Sequence, residues 1–296
     1  MTEGFRPWAL NITASPDAAF DLADALGMEG VMTALSVTIF AAPQDTMNDN
    51  MLVQGLYESK DAAEQIKASL EAAQMISADI EQLPAKDWVS ETQAGLPPVR
   101  AGRFLVYGSH DADKVDNNVV PLLVDAGMAF GTGHHGTTAG CLRIFSDLLD
   151  AAVKMETVLD LGCGAGILAM AAAKTLPDSA IVATDIDPDA IMVTDANIIE
   201  NGVTGRIETA VANGFESPVL NGRQFDLIFA NILAGPLMSL ADNIVAATAP
   251  NGHVILSGIL DEKADQVTAC FEKAGLDVLP QPSLQGWTSL LATKPA

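Results

Sequence analysis

Residues 157–174, TVLDLGCGAGILAMAAAK, constrain the fold of this chain more than any other segment. β-favouring residues lead into Asp160, and an apolar, Ala-rich stretch with helical character ends the segment. Between them, three glycines stand at alternate positions: Gly162, Gly164 and Gly166. A strand, a glycine turn and a helix in this order begin a nucleotide-binding βαβ unit. Because glycine allows positive φ and close approach of the backbone, the turn is a predicted ligand site.

The spacing of the glycines argues against a dinucleotide or a polyphosphate ligand. The dinucleotide fingerprint G-x-G-x-x-G would need a glycine at the position of Ile167. The phosphate-binding G-x-x-x-x-G-K-[ST] motif is absent, and no Lys or Arg occurs between Asp160 and Lys174. The pattern D-x-G-x-G-x-G resembles the first motif of S-adenosylmethionine (SAM) methyltransferases. A purely structural glycine turn is the alternative at this stage.

The next predicted strand, residues 180–185, ends in a carboxylate 23 positions after Gly162. An acidic side chain at this place can reach the ribose hydroxyls of an adenosine. Asp185 is therefore the predicted ribose ligand. Asp187 precedes Pro188 and is expected to be the N-cap of the following helix.

The chain is acidic, with 38 Asp and Glu against 15 Lys and Arg and a formal net charge of −23. Residues 1–100 carry 5 basic and 15 acidic side chains, and the remainder carry 10 and 23. Neither part offers the basic surface that binding to nucleic-acid phosphates requires. A basic partner would be attracted by this field, although acidity can also serve solubility alone.

Cysteine use and hydropathy favour a cytoplasmic protein. Cys141, Cys163 and Cys270 form no spaced pair, which argues against a disulfide framework or a zinc site. No signal peptide is evident, and no apolar stretch approaches the ~20 residues of a membrane span. Adjacent His134 and His135 lack helical ligand spacing, so we predict no metal site.

Two domains are predicted. Residues 1–84 read as a β-α-β-β-α-β, ferredoxin-like α+β domain, and residues 85–102, rich in Pro, Gly and polar side chains, read as a linker. Alternating strands and helices over residues 103–296 predict an α/β Rossmann-like domain with a mostly parallel, doubly wound sheet. The expected strands of this second domain include 104–107, 119–124, 157–161, 180–185, 207–211, 225–230, 253–257 and 286–293.

Two loops carry groups that could bind the methionine portion of SAM or an amine substrate. The glycine-rich loop 125–135 leads into Thr137 and Thr138, which open a helix whose N-terminus can hold a carboxylate such as that of SAM's methionine portion. Helix capping by the threonines is a compatible role. Asn231 ends the strand FDLIFA, where its amide can hold an amine nucleophile or the ammonium of the cofactor.

Together these motifs resemble the ribosomal protein L-eleven methyltransferase (PrmA) family. The resemblance rests on FGTGHHGTT at 130–138, DLGCGAG at 160–166, DIDP at 185–188 and NILAGPL at 231–237, with KDW at 86–88. It is dense over residues 125–260 and thin before residue 84. The chain departs from the family pattern with D-A-G for D-P-G at 125–127, with H-G-T-T for H-P-T-T at 135–138, and in lacking aromatic residues over 89–97.

The resemblance implies a SAM-dependent class I methyltransferase with an N-terminal substrate-recognition domain. Members of the family methylate lysine ε-amines and the N-terminal α-amine of one large-subunit ribosomal protein. Carried over by motif, the cofactor contacts fall on Thr138, Gly162, Asp185 and Asn231, to which the turn adds Asp160, Gly164 and Gly166.

The remaining expectations concern catalysis and partners. Asn231 is the first candidate catalytic residue, and His135 is the second, with ordering of its loop as an alternative role. The expected substrate is a basic ribosomal protein free of the ribosome, without direct nucleic-acid or membrane binding. A methyltransferase for RNA or a small molecule, an NAD-dependent oxidoreductase and a non-catalytic binding module remain as alternatives, of which Ile167 disfavours the oxidoreductase.

Overall fold

The computed structural model describes residues 6–15, 19, 22, 26, 34, 36–41, 51–72, 78–83, 98–116, 118–125 and 136–296. The chain divides into two compact units, Met1–Trp88 and Val89–Ala296. Among the described residues, no helix is both long enough and apolar enough to cross a membrane.

The first unit is built on a four-stranded antiparallel sheet. Its strands are β1 (Trp8–Ala14), β2 (Ser36–Ala41), β3 (Met51–Tyr57) and β4 (Ala78–Gln82), in the order β2-β3-β1-β4. Helix α1 (Lys60–Ala72) follows β3, and the described residues of the segment between β1 and β2 include helical positions 19, 22 and 26. The predicted ferredoxin-like arrangement is confirmed.

One hydrophobic layer holds this first sheet against its helices. Leu10 and Ile12 of β1 are fully buried because alternate residues of a strand face the same side. Ala63, Ile66 and Leu70 of α1 recur at helical spacing and pack into the same layer.

The second unit begins with a three-stranded sheet, formed by β5 (Val99–Ala101), β6 (Phe104–Tyr107) and β7 (Val120–Leu123). β5 lies inside the segment predicted as a linker, and it pairs antiparallel with β6. Helix α2 (Gly136–Asp150) follows, and its Phe145 stacks on Phe104 with ring centroids 5.6 Å apart. Phe145 also meets Phe229 edge-on at 5.2 Å, so α2 is anchored to both the small sheet and the main sheet.

A seven-stranded sheet forms the centre of the second unit. Its strands are β8 (Thr157–Leu161), β9 (Ala180–Asp185), β10 (Ile207–Val211), β11 (Phe225–Asn231), β12 (Thr248–Leu260), β13 (Asp277–Pro280) and β14 (Trp287–Thr293). Their order is β10-β9-β8-β11-β12-β14-β13. The first five in this order are parallel, whereas β14 runs antiparallel to β12 and β13. The strand order reverses between β8 and β11, where ligands bind in open α/β sheets.

Helices cover both faces of this sheet. They are α3 (Ile167–Thr175), α4 (Pro188–Glu200), α5 (Ala234–Ser239), α6 (Ala241–Ala247) and α7 (Ala264–Ala274). Buried residues of α2, α3 and α4 share one hydrophobic layer, and those of α5, α6 and α7 share the other. The predicted doubly wound α/β fold is confirmed.

Strand β12 is much longer than predicted, because the prediction covered only its apolar run at 253–257. The strand pairs with β11 on one side and with β14 on the other. Each partner pairs beyond the apolar run after a register shift, which lies between Phe225 and Leu227 for β11 and between Leu256 and Ile259 for β14. Pairing with β11 at Thr248 therefore extends the start of the strand, and pairing with β14 at Ile259 and Leu260 extends its end.

Two buried threonines beside the glycine turn differ in their hydrogen bonds. Thr184 and Thr194 are both fully buried. Thr194 Oγ1 donates to the carbonyl oxygen of Gly164 at 2.7 Å, whereas Thr184 Oγ1 has no partner among the described residues. A buried hydroxyl without a hydrogen-bond partner has lost its hydrogen bonds to water, and no hydrogen bond within the protein replaces them.

We therefore expect Thr184→Val to raise the free energy of unfolding by about 1 kcal/mol, because it removes an unsatisfied hydroxyl at nearly constant volume. Thr194→Val is the matched control and should lower that free energy by about 1–2 kcal/mol, because it removes the hydroxyl that donates to the half-buried carbonyl of Gly164. Urea unfolding of both variants measures the two effects. Destabilisation of equal size in both would contradict the argument.

Candidate functional site

The predicted polar residues lie at one edge of the main sheet. Asp160, Asp185 and Asn231 stand at or near the carboxyl ends of β8, β9 and β11, which are neighbours in the sheet. Carboxyl ends of parallel strands meet along one edge, and a crevice opens there at the switch point. The fold therefore brings together residues that are widely separated in the sequence.

The glycine turn after β8 is tied to the end of β9. The N–H groups of Gly162 and Cys163 both donate to the carbonyl oxygen of Thr184, at 2.8 and 2.9 Å. Gly162 has a φ of +71°, and a Cβ at this position would lie 2.3 Å from Ile232 Cγ2. Only glycine fits there, because both the backbone conformation and the space exclude a side chain.

The three glycines have different surroundings. Gly162 and Gly164 are half-buried, so their backbone is accessible at the crevice. Gly166 is buried, and a Cβ there would lie 2.8 Å from Thr194 Cγ2. The first two can face a ligand, whereas Gly166 permits close packing of the turn against α4.

Asp185 is held by two backbone donors. Its Oδ2 accepts from the N–H of Gly164 at 2.8 Å, and its Oδ1 accepts from the N–H of Asp187 at 3.1 Å. A carboxylate has about four lone-pair sites, so two hydrogen bonds leave acceptor capacity for the hydroxyls of a ribose. Asp187 caps α4 through the N–H of Asp189 at 2.8 Å, with Pro188 in the first turn, which confirms its predicted role.

Asp160 lies below the turn and is only 1% exposed. Its Oδ2 accepts from the N–H of Ala169 at 2.9 Å, in the first turn of α3, where the N-cap residue Gly166 has no side chain to do so. The side chain thus caps a helix from the preceding strand. Its burial makes Asp160 a residue that shapes the turn, and its predicted place among the cofactor-binding residues stays a prediction.

Burial also changes the acidity of Asp160. Desolvation raises the pKa of its carboxyl from 3.8 to about 7, and the negative charge of Asp185 adds to this effect. The hydrogen bond from Ala169 acts in the opposite direction and does not offset the burial. Near neutral pH the proton equilibrium of Asp160 therefore influences the stability of the site.

The pair of Asn231 and Thr138 joins β11 to α2. Asn231 Nδ2 donates to Thr138 Oγ1 at 3.4 Å, across 93 positions of sequence. Thr138 is 2% exposed in the first turn of α2, and the carbonyl oxygen of Thr137 accepts from Ser257 Oγ at 3.2 Å. The start of α2 is thus fixed beside the crevice. His135, the other candidate catalytic residue, lies outside the described residues.

One residue at the crevice was missed by the sequence reasoning. Ile186 follows Asp185 directly and is 65% exposed. An exposed apolar side chain next to the predicted ribose ligand is of a kind that can pack against the flat face of an adenine. The available signal was the isoleucine between two acidic residues, at a place where a solvent-exposed turn is normally polar.

The comparisons with known proteins identify the family. The family model "Ribosomal protein L11 methyltransferase (PrmA)" matches residues 8–295. This chain belongs to that family. The match starts within β1, so it includes the first unit, where the sequence motifs were thin.

Individual relatives agree with this assignment. Ribosomal protein L11 methyltransferase of Brucella abortus (strain S19) is 47% identical over 216 residues, which are 73% of this chain and 75% of the relative. The Sinorhizobium fredii (strain NBRC 101917 / NGR234) protein of the same name is 44% identical over 247 residues, covering 81% and 84%. The crystal structure of ribosomal protein L11 methylase from Lactobacillus delbrueckii subsp. bulgaricus shares the fold, with a TM-score of 0.55 and 24% identity over 67% of this chain and 99% of that one.

The chain is therefore a SAM-dependent methyltransferase, and the geometry of the crevice fits such a cofactor. The half-buried turn at Gly162 and Gly164 leaves part of its backbone accessible, and glycine lets a ligand approach the backbone closely. Asp185 retains acceptor capacity for hydroxyls, and the first turn of α2 offers N–H donors for a carboxylate. The described residues contain no cluster of His, Cys, Asp or Glu that could hold a metal ion.

Asp160→Asn should change how the stability of the protein depends on pH. Because the folded pKa is raised, between about pH 4 and pH 7 the folded state holds a proton that the unfolded state releases. The contribution of Asp160 to the free energy of unfolding therefore falls as pH rises through that window. The amide of the substituted side chain keeps a hydrogen-bond acceptor for Ala169 but does not titrate.

Relative to the wild type, the variant should gain stability from pH 5 to pH 8, on the order of 2–4 kcal/mol at 1.36 kcal/mol per pKa unit. Urea unfolding of both proteins at pH 5, 6, 7 and 8 gives this difference. A difference that stays constant with pH would show that Asp160 titrates outside the window.

Proposed function

We propose that this protein transfers methyl groups from SAM to the lysine ε-amines and the N-terminal α-amine of ribosomal protein L11. The names of its relatives support the substrate. The observation that carries the proposal is the convergence of the glycine turn, Asp185 and the Asn231–Thr138 pair at one edge of the sheet. Each group matches a different part of SAM or of its amine acceptor.

In this proposal, different residues bind different parts of the cofactor. The backbone at Gly162 and Gly164 faces the nucleoside, and Asp185 accepts from the ribose hydroxyls. Thr138 and the first turn of α2 hold the methionine carboxylate, because a helix N-terminus favours negative charge. Asn231, whose Nδ2 is engaged with Thr138, retains its Oδ1 as an acceptor for an ammonium or an amine.

Positioning is the main task of these residues in catalysis. SAM, when bound, supplies a methyl group that its sulfonium has already activated. The acceptor must be a neutral amine, and a lysine with a pKa of ~10.4 loses its proton at pH 7 at a cost of roughly 4–5 kcal/mol. Asn231 Oδ1 can accept from an N–H of the neutral amine and so orient its lone pair. His135 remains a second candidate for proton removal, with loop ordering as its other role.

The first domain is proposed to recognise the protein substrate. In this proposal residues 1–84 form the recognition domain, 85–102 the linker and 103–296 the catalytic domain. The net charge of −23 supports a basic partner, because an acidic surface attracts basic proteins and repels nucleic-acid phosphates. A ribosomal protein free of the ribosome, in the cytoplasm, meets this requirement.

Asp185→Ala should abolish SAM binding, a loss of at least ~100-fold, because hydrogen bonds to a charged group contribute about 1.5–3 kcal/mol each. Isothermal titration calorimetry measures the affinity. Asp187→Ala is the matched control, since it keeps the N–H that donates to Asp185 and should cost only about 1 kcal/mol of stability through the lost helix cap. Undiminished SAM affinity in Asp185→Ala would overturn the assignment of the site.

The substrate is tested by incubating the protein with labelled SAM and dissociated ribosomal proteins. We expect label in L11 alone, with mass spectrometry placing it on lysines and on the N-terminus. Loss of labelling after RNase treatment, or label only in a small molecule, would point to the alternative substrates instead. A titration that shows binding of NAD but not of SAM would exclude the methyltransferase chemistry.

A further inference from the structure

A tight turn between β13 and β14 lies beside the start of α2. Leu284 and Trp287 close the turn with two backbone hydrogen bonds, at 2.8 and 3.0 Å. Between them Gln285 and Gly286 both have positive φ, at +55° and +82°. Two central residues of this kind make a two-residue hairpin turn with a defined shape.

The carboxylate of Asp261 clamps this turn to the end of β12. Its Oδ2 accepts from Ser283 Oγ and its Oδ1 accepts from Thr288 Oγ1, both at 2.6 Å. The N–H of Asp261 donates to the carbonyl oxygen of Gly286 at 3.1 Å. The two hydroxyl donors hold the pKa of Asp261 below its ordinary value, so the carboxylate is ionised at neutral pH.

The clamped turn is in direct contact with the first residues of α2. A Cβ on Gly136 would lie 2.4 Å from the carbonyl oxygen of Leu284, and one on Gly140 would lie 2.2 Å from Ser289 Oγ. Gly136 and Gly140 are four residues apart and share one face of the helix. At these two glycines the helix therefore packs directly on the hairpin, with no side chain of the helix in between. Thr138 lies in the same first turn of α2 as Gly136.

We propose that Asp261 is a positioning residue for the cofactor site. By holding the hairpin turn at residues 283–288, it sets the place of the Leu284 carbonyl under Gly136, and so the place of Thr138 opposite Asn231. This inference rests on the proposed function, in which the first turn of α2 holds the cofactor. Asp261 itself makes no contact with SAM in this proposal.

The test compares Asp261→Ala with Glu262→Ala, a neighbouring acid whose carboxylate has no polar partner among the described residues. Asp261→Ala should raise both the Kd and the KM for SAM about tenfold, because small displacements of a binding group weaken it strongly. The kcat at saturating SAM should fall much less. Asp261→Asn should stay within about threefold of wild type, because its amide can accept from one hydroxyl and donate to the other. Glu262→Ala should bind SAM as the wild type does.

Thermal unfolding and circular dichroism of each variant show whether it is folded. If Asp261→Ala does not fold, Ser283→Ala and Thr288→Val decide the question, since each removes one donor and leaves the carboxylate; each should raise the Kd about threefold. Wild-type affinity in folded Asp261→Ala, or in both of the single-donor variants, would overturn the proposal. The proposal would also be overturned if kcat fell and KM rose to the same extent in all variants, including Glu262→Ala.

These results are separable from the test of the proposed function. If Asp185→Ala loses SAM and Asp261→Ala keeps it, only the positioning role fails. If Asp185→Ala keeps SAM, the cofactor site itself lies elsewhere.

Discussion

The candidate site depends on the backbone hydrogen bonds that join the glycine turn to the end of β9. Three consecutive N–H groups, from Gly162 to Gly164, donate to the Thr184 carbonyl and to the Asp185 carboxylate. This arrangement fixes the accessible backbone of the turn and the side chain of Asp185, the proposed ribose ligand, with respect to each other. The hydrogen bonds restrict relative movement of the two groups, which favours a preorganised crevice.

Burial of Asp160 beneath that turn lowers the stability of the folded protein when the carboxylate is ionised. The carboxylate caps α3 because the turn that leads into the helix ends in glycine, which has no capping side chain. The same burial raises its pKa to about 7 and makes the ionised form unfavourable. Stability has thus been given up at a position where the turn could not be closed with an ordinary N-cap, as is common next to functional sites.

Local chemistry made much of this fold predictable. The alternation of strands and helices predicted the doubly wound sheet, and Asp187 with Pro188 predicted a helix start that the structure confirms. The overlap of β5 with the predicted linker and the length of β12 were missed, because both depend on partner strands. Pro- and Gly-rich composition says nothing about whether another strand will pair with a given segment.

At the site, sequence alone determined the groups: three alternating glycines, a carboxylate after the next strand, and an amide after a later one. These are local signals, because turn geometry and strand ends are set by a few adjacent residues. Only the tertiary structure decided their burial and their contacts. It buried Asp160 and left Asp185 partly exposed. It also joined Asn231 to Thr138 by a hydrogen bond, and it placed Asp261 in contact with the hairpin turn on which α2 packs. The reason is physical: burial and contact arise from the packing of elements that lie far apart in the chain, and no local pattern encodes them.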